Sequence, residues 1–381
     1  MERLLAKKRM TAVIFLLFIF CYAGFNIKKE FPILVDKIEE LREEESSMSE
    51  MISDIETTIN ENVYGRYQFI DAYGYIQKAL DKKEENAFEV IKDEQGKLHY
   101  TYFTEETNAT AKLSDRMKNL NDSIRNKDCK LLYLMPPDKY IEGYTTYATG
   151  IPYSMVNETA DQFLEELKSE EVDYIDFRDY LKDSGLDMQN VFFEQLQERY
   201  GENIPNEEYY ADINNYNQIT YEDCFLGSQG RKTGRYYAGA DDFTLIYPKF
   251  ATNYELESSI MDDMKLTGRF EEALLATPVF RQTNTPYDTD LYMSYMYGNQ
   301  AYAHIENLDN PDGLNICFIK DSYAVPFAAF TSLRCNHVYL LDPRYYKENM
   351  EDFINEHDLD YVVVMFSPED LSEEFFTFGE K

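Results

Sequence analysis

The sequence predicts an α/β protein with a mostly parallel sheet, carried behind an N-terminal apolar helix. Three observations predict it. Short apolar runs alternate with helical patterns through most of the chain, as strands joined by helical crossovers do. These runs end on polar residues, which belong at the carboxyl edge of such a sheet. One of them, in residues 315–331 (NICFIKDSYAVPFAAFT), passes from strand-favouring residues directly into an Ala-rich helical pattern. That break places Asp321 and Ser322 beside the free N–H groups of a helix start. A serine there is a candidate acyl-transfer nucleophile, because those donors suit an oxyanion. Asp and Ser are also favoured caps, so capping of the helix is the competing reading.

Composition narrows the class. The chain has 381 residues, with 37 Lys+Arg against 71 Asp+Glu and a net charge of -34. Nucleic acid and anionic headgroups are therefore excluded as the main ligand. The 33 Tyr and 25 Phe, with no Trp, supply rings that fill a core or stack on sugars. Cys21 lies in an apolar segment and Cys129, Cys224, Cys317 and Cys335 are scattered, so no dense disulfide framework is indicated. The four histidines make no HxH or HExxH spacing, and no metal or cofactor is expected.

In order, residues 1–9 form a basic head with Lys7, Lys8 and Arg9, and residues 10–27 carry no charge. That run is long enough to cross a roughly 30 Å hydrocarbon core as a helix. The expectation is an uncleaved single-pass anchor that places everything downstream outside the cytoplasm; cleavage near Cys21-Tyr22-Ala23 is the alternative. Residues 28–60 read as a helical stalk. A seven-residue repeat places Leu34, Leu41, Met48 and Ile55 in one register and Ile38, Glu45, Ile52 and Ile59 in the other. A single amphipathic helix laid on the following domain is the other reading.

Residues 61–381 are expected to form the globular domain. Helices are predicted at 112–127, 154–169, 189–200 and 347–356, and strands at 129–135, 172–175, 316–319, 337–341 and 361–365. The common edge would collect Asp138, Lys139, Asp176, Asp321, Ser322, Asp342 and Ser367. Residues 203–300 lack clear periodicity and read as an irregular insertion. Within it Gly227-Ser228-Gln229-Gly230, followed by Arg231, Lys232 and Arg235, is a glycine-bearing turn with dense positive charge, suited to an anionic or acyl-bearing group. A hairpin whose cations balance Asp241 and Asp242 is the competing reading.

The segments PPDK (136–139), VDYIDFRDYL (172–181), FLGSQGRKTG with DDFTLIYPKF, and IKDSYAVPFAAF (319–330) together resemble the DHHW family. These are membrane-anchored, SGNH-hydrolase-like proteins related to AlgX and AlgJ. The resemblance implies a flavodoxin-like sheet with helices on both faces, and makes Ser322 the nucleophile of a Ser-His-Asp triad. It also implies acetyl chemistry on an exported polysaccharide, beside a membrane-bound O-acyltransferase. Lys139, Gly227, Arg231 and Arg235 become the candidate substrate-binding residues.

The Asp-His-His-Trp motif itself is missing. One alignment sets it at 183–189, where it is deleted; another sets it at 212–216, where Asn214 and Asn215 replace both histidines. A neutral amide cannot take the serine's proton. His337 and His357 fall on the amino edge, so His304 and His99 are the remaining candidates for a base. Two readings follow. Either the triad has decayed and the protein is a binding or accessory subunit, or it is an O-acetyltransferase or acetylesterase with a substitute histidine.

Overall fold

The computed structural model describes residues 2–43, 48–85, 87–101, 106–141, 143–151, 153–178, 180, 188–204, 207–260, 264–280 and 286–379. The chain divides into two units, Met1–Leu80 and Asp81–Lys381.

The first unit holds helices α1 (Glu2–Glu43), α2 (Met48–Asn62) and α3 (Arg66–Ala79). Within α1, the stretch Lys7–Arg42 is long and apolar enough to cross a membrane. The heptad pattern predicts one continuous stalk, but the chain folds back instead. Tyr64 N–H donates to Asn26 Oδ1 at 2.7 Å, and the Tyr64 ring meets Phe25 at 4.9 Å. Polar and aromatic groups near residue 26 thus hold the returning chain as a hairpin. Glu45, the charged residue in the repeat, lies outside the described residues.

The second unit opens with a small antiparallel sheet of β1 (Glu84–Glu85), β2 (Val90–Lys92) and β3 (Leu98–Tyr100). Then come α4 (Ala111–Ser123), β4 (Lys130–Met135), α5 (Val156–Ser169), β5 (Asp173–Asp176), α6 (Met188–Tyr200) and α7 (Glu207–Ala211). A hairpin of β6 (Tyr216–Phe225) and β7 (Asp241–Pro248) carries α8 (Gly227–Thr233) and α9 (Arg235–Ala238) at its tip. The chain continues through β8 (Tyr254–Ser258), β9 (Met264–Gly268), α10 (Phe270–Ala273), α11 (Thr277–Phe280) and β10 (Tyr302–Asn307). It ends with β11 (Leu314–Lys320), α12 (Ala324–Thr331), β12 (Cys335–Leu341), α13 (Met350–Glu356) and β13 (Tyr361–Met365).

Eight strands form the main sheet in the order β5-β4-β13-β11-β12-β10-β8-β9. The first five run parallel and the last three join antiparallel. All five residues of β13 are buried, which is why YVVVM reads as a continuous apolar run. Helices α6 and α12 pack on one face of the sheet. Helices α4, α5 and α13 pack on the other. The expected mostly parallel α/β sheet is present.

The middle is more regular than its sequence suggests. β8 and β10 alternate buried and half-buried residues, a pattern of one-sided strands that polar YELES and YAHIEN mask. The glycine-bearing turn is also different, because residues 227–238 form two short helices between the hairpin strands.

Candidate functional site

Ser322 lies in the turn between β11 and α12, partly buried, at the edge where all five parallel strands end. Asp321 before it is fully buried. Its carboxyl accepts from Tyr323 N–H at 2.8 Å and from Ser367 N–H at 2.6 Å, tying the end of β11 to the end of β13. The Tyr323 N–H, a donor that a serine at this point would offer to an oxyanion, is therefore engaged by Asp321. Lys320 is buried against Asp342 Oδ2 at 3.1 Å, and Arg344 holds the same oxygen at 2.8 Å.

The cleft around this turn is acidic, and its carboxyls are largely buried. Burial lifts Asp321 to about 8, reinforced by the charge of Asp370. Asp370 is raised by burial as well, and the two neighbouring carboxyls disfavour ionising together. Burial also lifts Asp138 to about 6 and Glu369 to about 8; the charge of Asp370 raises both, and that of Asp138 raises Glu369 further. Lys139 is pushed down by burial, against the pull of Asp241, Glu369, Asp93 and Asp138. Tyr292 adds a buried hydroxyl. It lies close enough to feel the Ser322 side chain but makes no hydrogen bond of ordinary geometry, and burial pushes its pKa up.

Among the predicted residues, Ser322, Asp321, Asp138 and Lys139 share this edge. Lys139 Nζ donates to Gln229 Oε1 at 2.7 Å, which ties the PPDK strand end to α8. Gly227 opens that helix with φ +61°, a left-handed backbone that favours glycine. Arg231 pairs with Asp290 at 2.8 Å, and Asp290 Oδ1 accepts from Tyr292 N–H, so α8 braces the segment that carries Tyr292. Arg235 sits over the Tyr236 ring at 5.2 Å, and its N–H donates to the Tyr287 hydroxyl. The cations are thus balanced chiefly by Asp290 and Glu89, the latter paired with Lys232.

His304 is not brought to Ser322. Its β10 register pairs it with Tyr339 of β12, which is level with Cys317 of β11, about 10 Å below the end of that strand. It stacks on Tyr339 at 4.4 Å and bonds His337 Nδ1 at 3.0 Å. Cys317 and Tyr339 belong to the sheet face opposite α12. Burial and the neighbouring His337 push His304 down to about 4. His357 stacks on Phe353 at 3.9 Å. His99, on β3, is buried with Nε2 at 2.9 Å from Asp93 Oδ2, beside the Tyr147 ring. Its Nδ1 makes no hydrogen bond, and the charge of Lys139 reaches it. Sequence reasoning missed Tyr292, Glu369, Asp370 and Asp93. Only Glu369 and Asp370 carry a signal, since they directly follow a strand end already marked by Ser367.

Most of 183–189, the first position proposed for the family motif, lies outside the described residues. The second is well defined. Asp212 caps a short turn by accepting from Asn214 N–H and Nδ2, and Asn215 Nδ2 donates to Tyr209 C=O. Both amides are used locally. Ile213 and Tyr216 from the same segment line a pocket of about 470 Å³ with Pro137, Tyr323, Phe327 and Phe330.

The second unit is an α/β domain whose sheet places a serine at the β11–α12 turn. The chain resembles, in fold, Bacillus cereus PatB1 solved with a sulfonyl adduct: 15% identity, 76% of this chain and 97% of that chain, TM-score 0.57. It also resembles a DHHW family protein from Eubacterium siraeum: 15% identity, 75% and 93% coverage, TM-score 0.52. The O-acetyltransferase domain of Pseudomonas putida AlgJ matches more loosely: 11% identity, 74% and 91% coverage, TM-score 0.42. Only the first two carry weight, and what they carry is the fold. No protein-family model and no curated protein matches the sequence.

Proposed function

We propose that this protein is a membrane-tethered, extracytoplasmic member of the polysaccharide O-acetylation proteins whose triad has decayed and which serves as a binding or accessory subunit. One observation carries the reading: each of the four histidines is engaged with a partner other than Ser322, His99 with Asp93, His304 with His337 and His357 with Phe353 C=O. Among the described residues, no histidine is hydrogen-bonded to Ser322 to take its proton. Loss of a general base lowers rate by roughly 10² to 10⁴. The polysaccharide and a membrane-bound O-acyltransferase are the partners that the family resemblance supplies. Residues 10–27 would be the retained anchor; protease applied to intact cells should remove the second unit, and full protection would refute this topology.

The full chain in lipid nanodiscs should hydrolyse aryl acetates no faster than its Ser322→Ala variant and label weakly with a fluorophosphonate. Turnover abolished by Ser322→Ala overturns the decayed-triad reading. One contact favours a second reading: the Asp93–His99 pair has an unbonded Nδ1 and lies within reach of Lys139. If turnover is found and His99→Ala also abolishes it, that pair supplies the base.

A further inference from the structure

We propose that the pocket beside Ser322 binds the hydrocarbon chain of an acyl group substantially longer than acetyl. This deepens the acyl reading of the Ser322 site and rests on it. The rim is Tyr323, the residue after Ser322, and the wall continues along α12 through Pro326, Phe327 and Phe330. Met365 from the end of β13 and Pro136-Pro137 from the end of β4 close the sheet side. Among the described residues, no lysine, arginine, aspartate or glutamate lines the pocket, although the chain carries 71 Asp+Glu and the neighbouring cleft is acidic. A charged ligand finds no ionic partner among these described lining residues.

The volume is about 470 Å³. At roughly 30 Å³ for each water-sized group, an acetyl fills only a small part of it, and the rest would hold unpartnered water against apolar walls. A sugar ring could stack on the tyrosines, but its hydroxyls need directional partners, and Tyr216 already donates to Tyr210 C=O at 2.8 Å. Ile213 connects the pocket to the lost motif. It belongs to the segment where one alignment places the Asp-His pair, and it presents an aliphatic side chain to the pocket where that segment has lost its imidazoles. The stretch that this alignment sets against the missing base thus also contributes apolar wall.

The test measures binding of methyl acetate, methyl butanoate, methyl hexanoate and methyl octanoate by ligand-observed NMR. The protein is the full-length Ser322→Ala chain in nanodiscs, with empty nanodiscs as the blank. Because the serine is absent, turnover does not consume the ligand, and the outcome is independent of whether Ser322 reacts. Each added methylene should tighten binding about fourfold until the pocket is full, the equivalent of about 0.8 kcal/mol per buried methylene. Ile213→Asp and Ala211→Trp alter wall residues that are exposed in the structure, so the fold tolerates them; both should abolish the chain-length dependence. Affinity that is flat from acetate to octanoate overturns the proposal, as does chain-length dependence unchanged in both variants. Tighter binding of a neutral oligosaccharide than of the octanoate ester, lost in Ile213→Asp, also overturns it and assigns the pocket to glycan.

Discussion

Replacing Glu369 with glutamine tests whether the Ser322 cleft keeps its carboxyls protonated. Burial, with the charges of Asp138 and Asp370, lifts Glu369 from an ordinary 4.5 to about 8. Between those values the unfolded chain has lost the proton and the folded chain retains it, so stability falls as pH rises. The contribution is fully present below 4.5 and is lost as pH climbs through about 8. From 4.5 to neutrality the interval amounts to roughly 3 kcal/mol at about 1.4 kcal/mol per pH unit. That is a ceiling, because Glu369 shares its titration with Asp138. Glutamine has the shape of the protonated acid and no titration. Glu369→Gln should therefore match the wild type near pH 5 and exceed it by about 1–3 kcal/mol between about pH 7 and 8. Urea unfolding followed by circular dichroism at those pH values measures the difference. A difference that does not change with pH, or a variant weaker than wild type at the alkaline end, refutes the reasoning.

Two further outcomes follow from buried groups beside the same turn. Lys320→Met removes one partner of a fully buried pair, but Arg344 still holds Asp342, so the cost should fall toward the lower end of about 3–5 kcal/mol in urea unfolding. A loss under about 1 kcal/mol would mean that Lys320 adds little to Asp342. Tyr292→Phe removes a buried hydroxyl that lacks a hydrogen bond, so thermal unfolding should show the variant at least as stable as wild type. A loss of about 1 kcal/mol or more would show that the hydroxyl bonds Ser322 in solution.

The parallel part of the sheet was legible because its strands are buried on both faces and read as short apolar runs. YVVVM is the clearest, and the predicted 361–365 matches β13 residue for residue. The edge positions of Asp138, Lys139, Asp321 and Ser322 follow from the same logic, since each follows an apolar strand run. β8 and β10 were missed because half of their residues face outward and are polar. Their strand character depends on pairing with β12 and with each other.

The sequence by itself determined the apolar N-terminal helix, the α/β class, the serine at a strand-to-helix turn and the absence of an Asp-His-His-Trp motif. Each is a local property of consecutive residues. Only the tertiary structure decided what meets that serine. It placed Glu369 and Asp370 against Asp138 and Asp321, held Tyr292 near Ser322 through Asp290 and Arg231, and set His304 on the opposite face of the sheet. These outcomes depend on register, on which sheet face a helix covers and on how much water burial removes. None of these is encoded in the spacing of a single segment, because each arises where residues distant in sequence pack together.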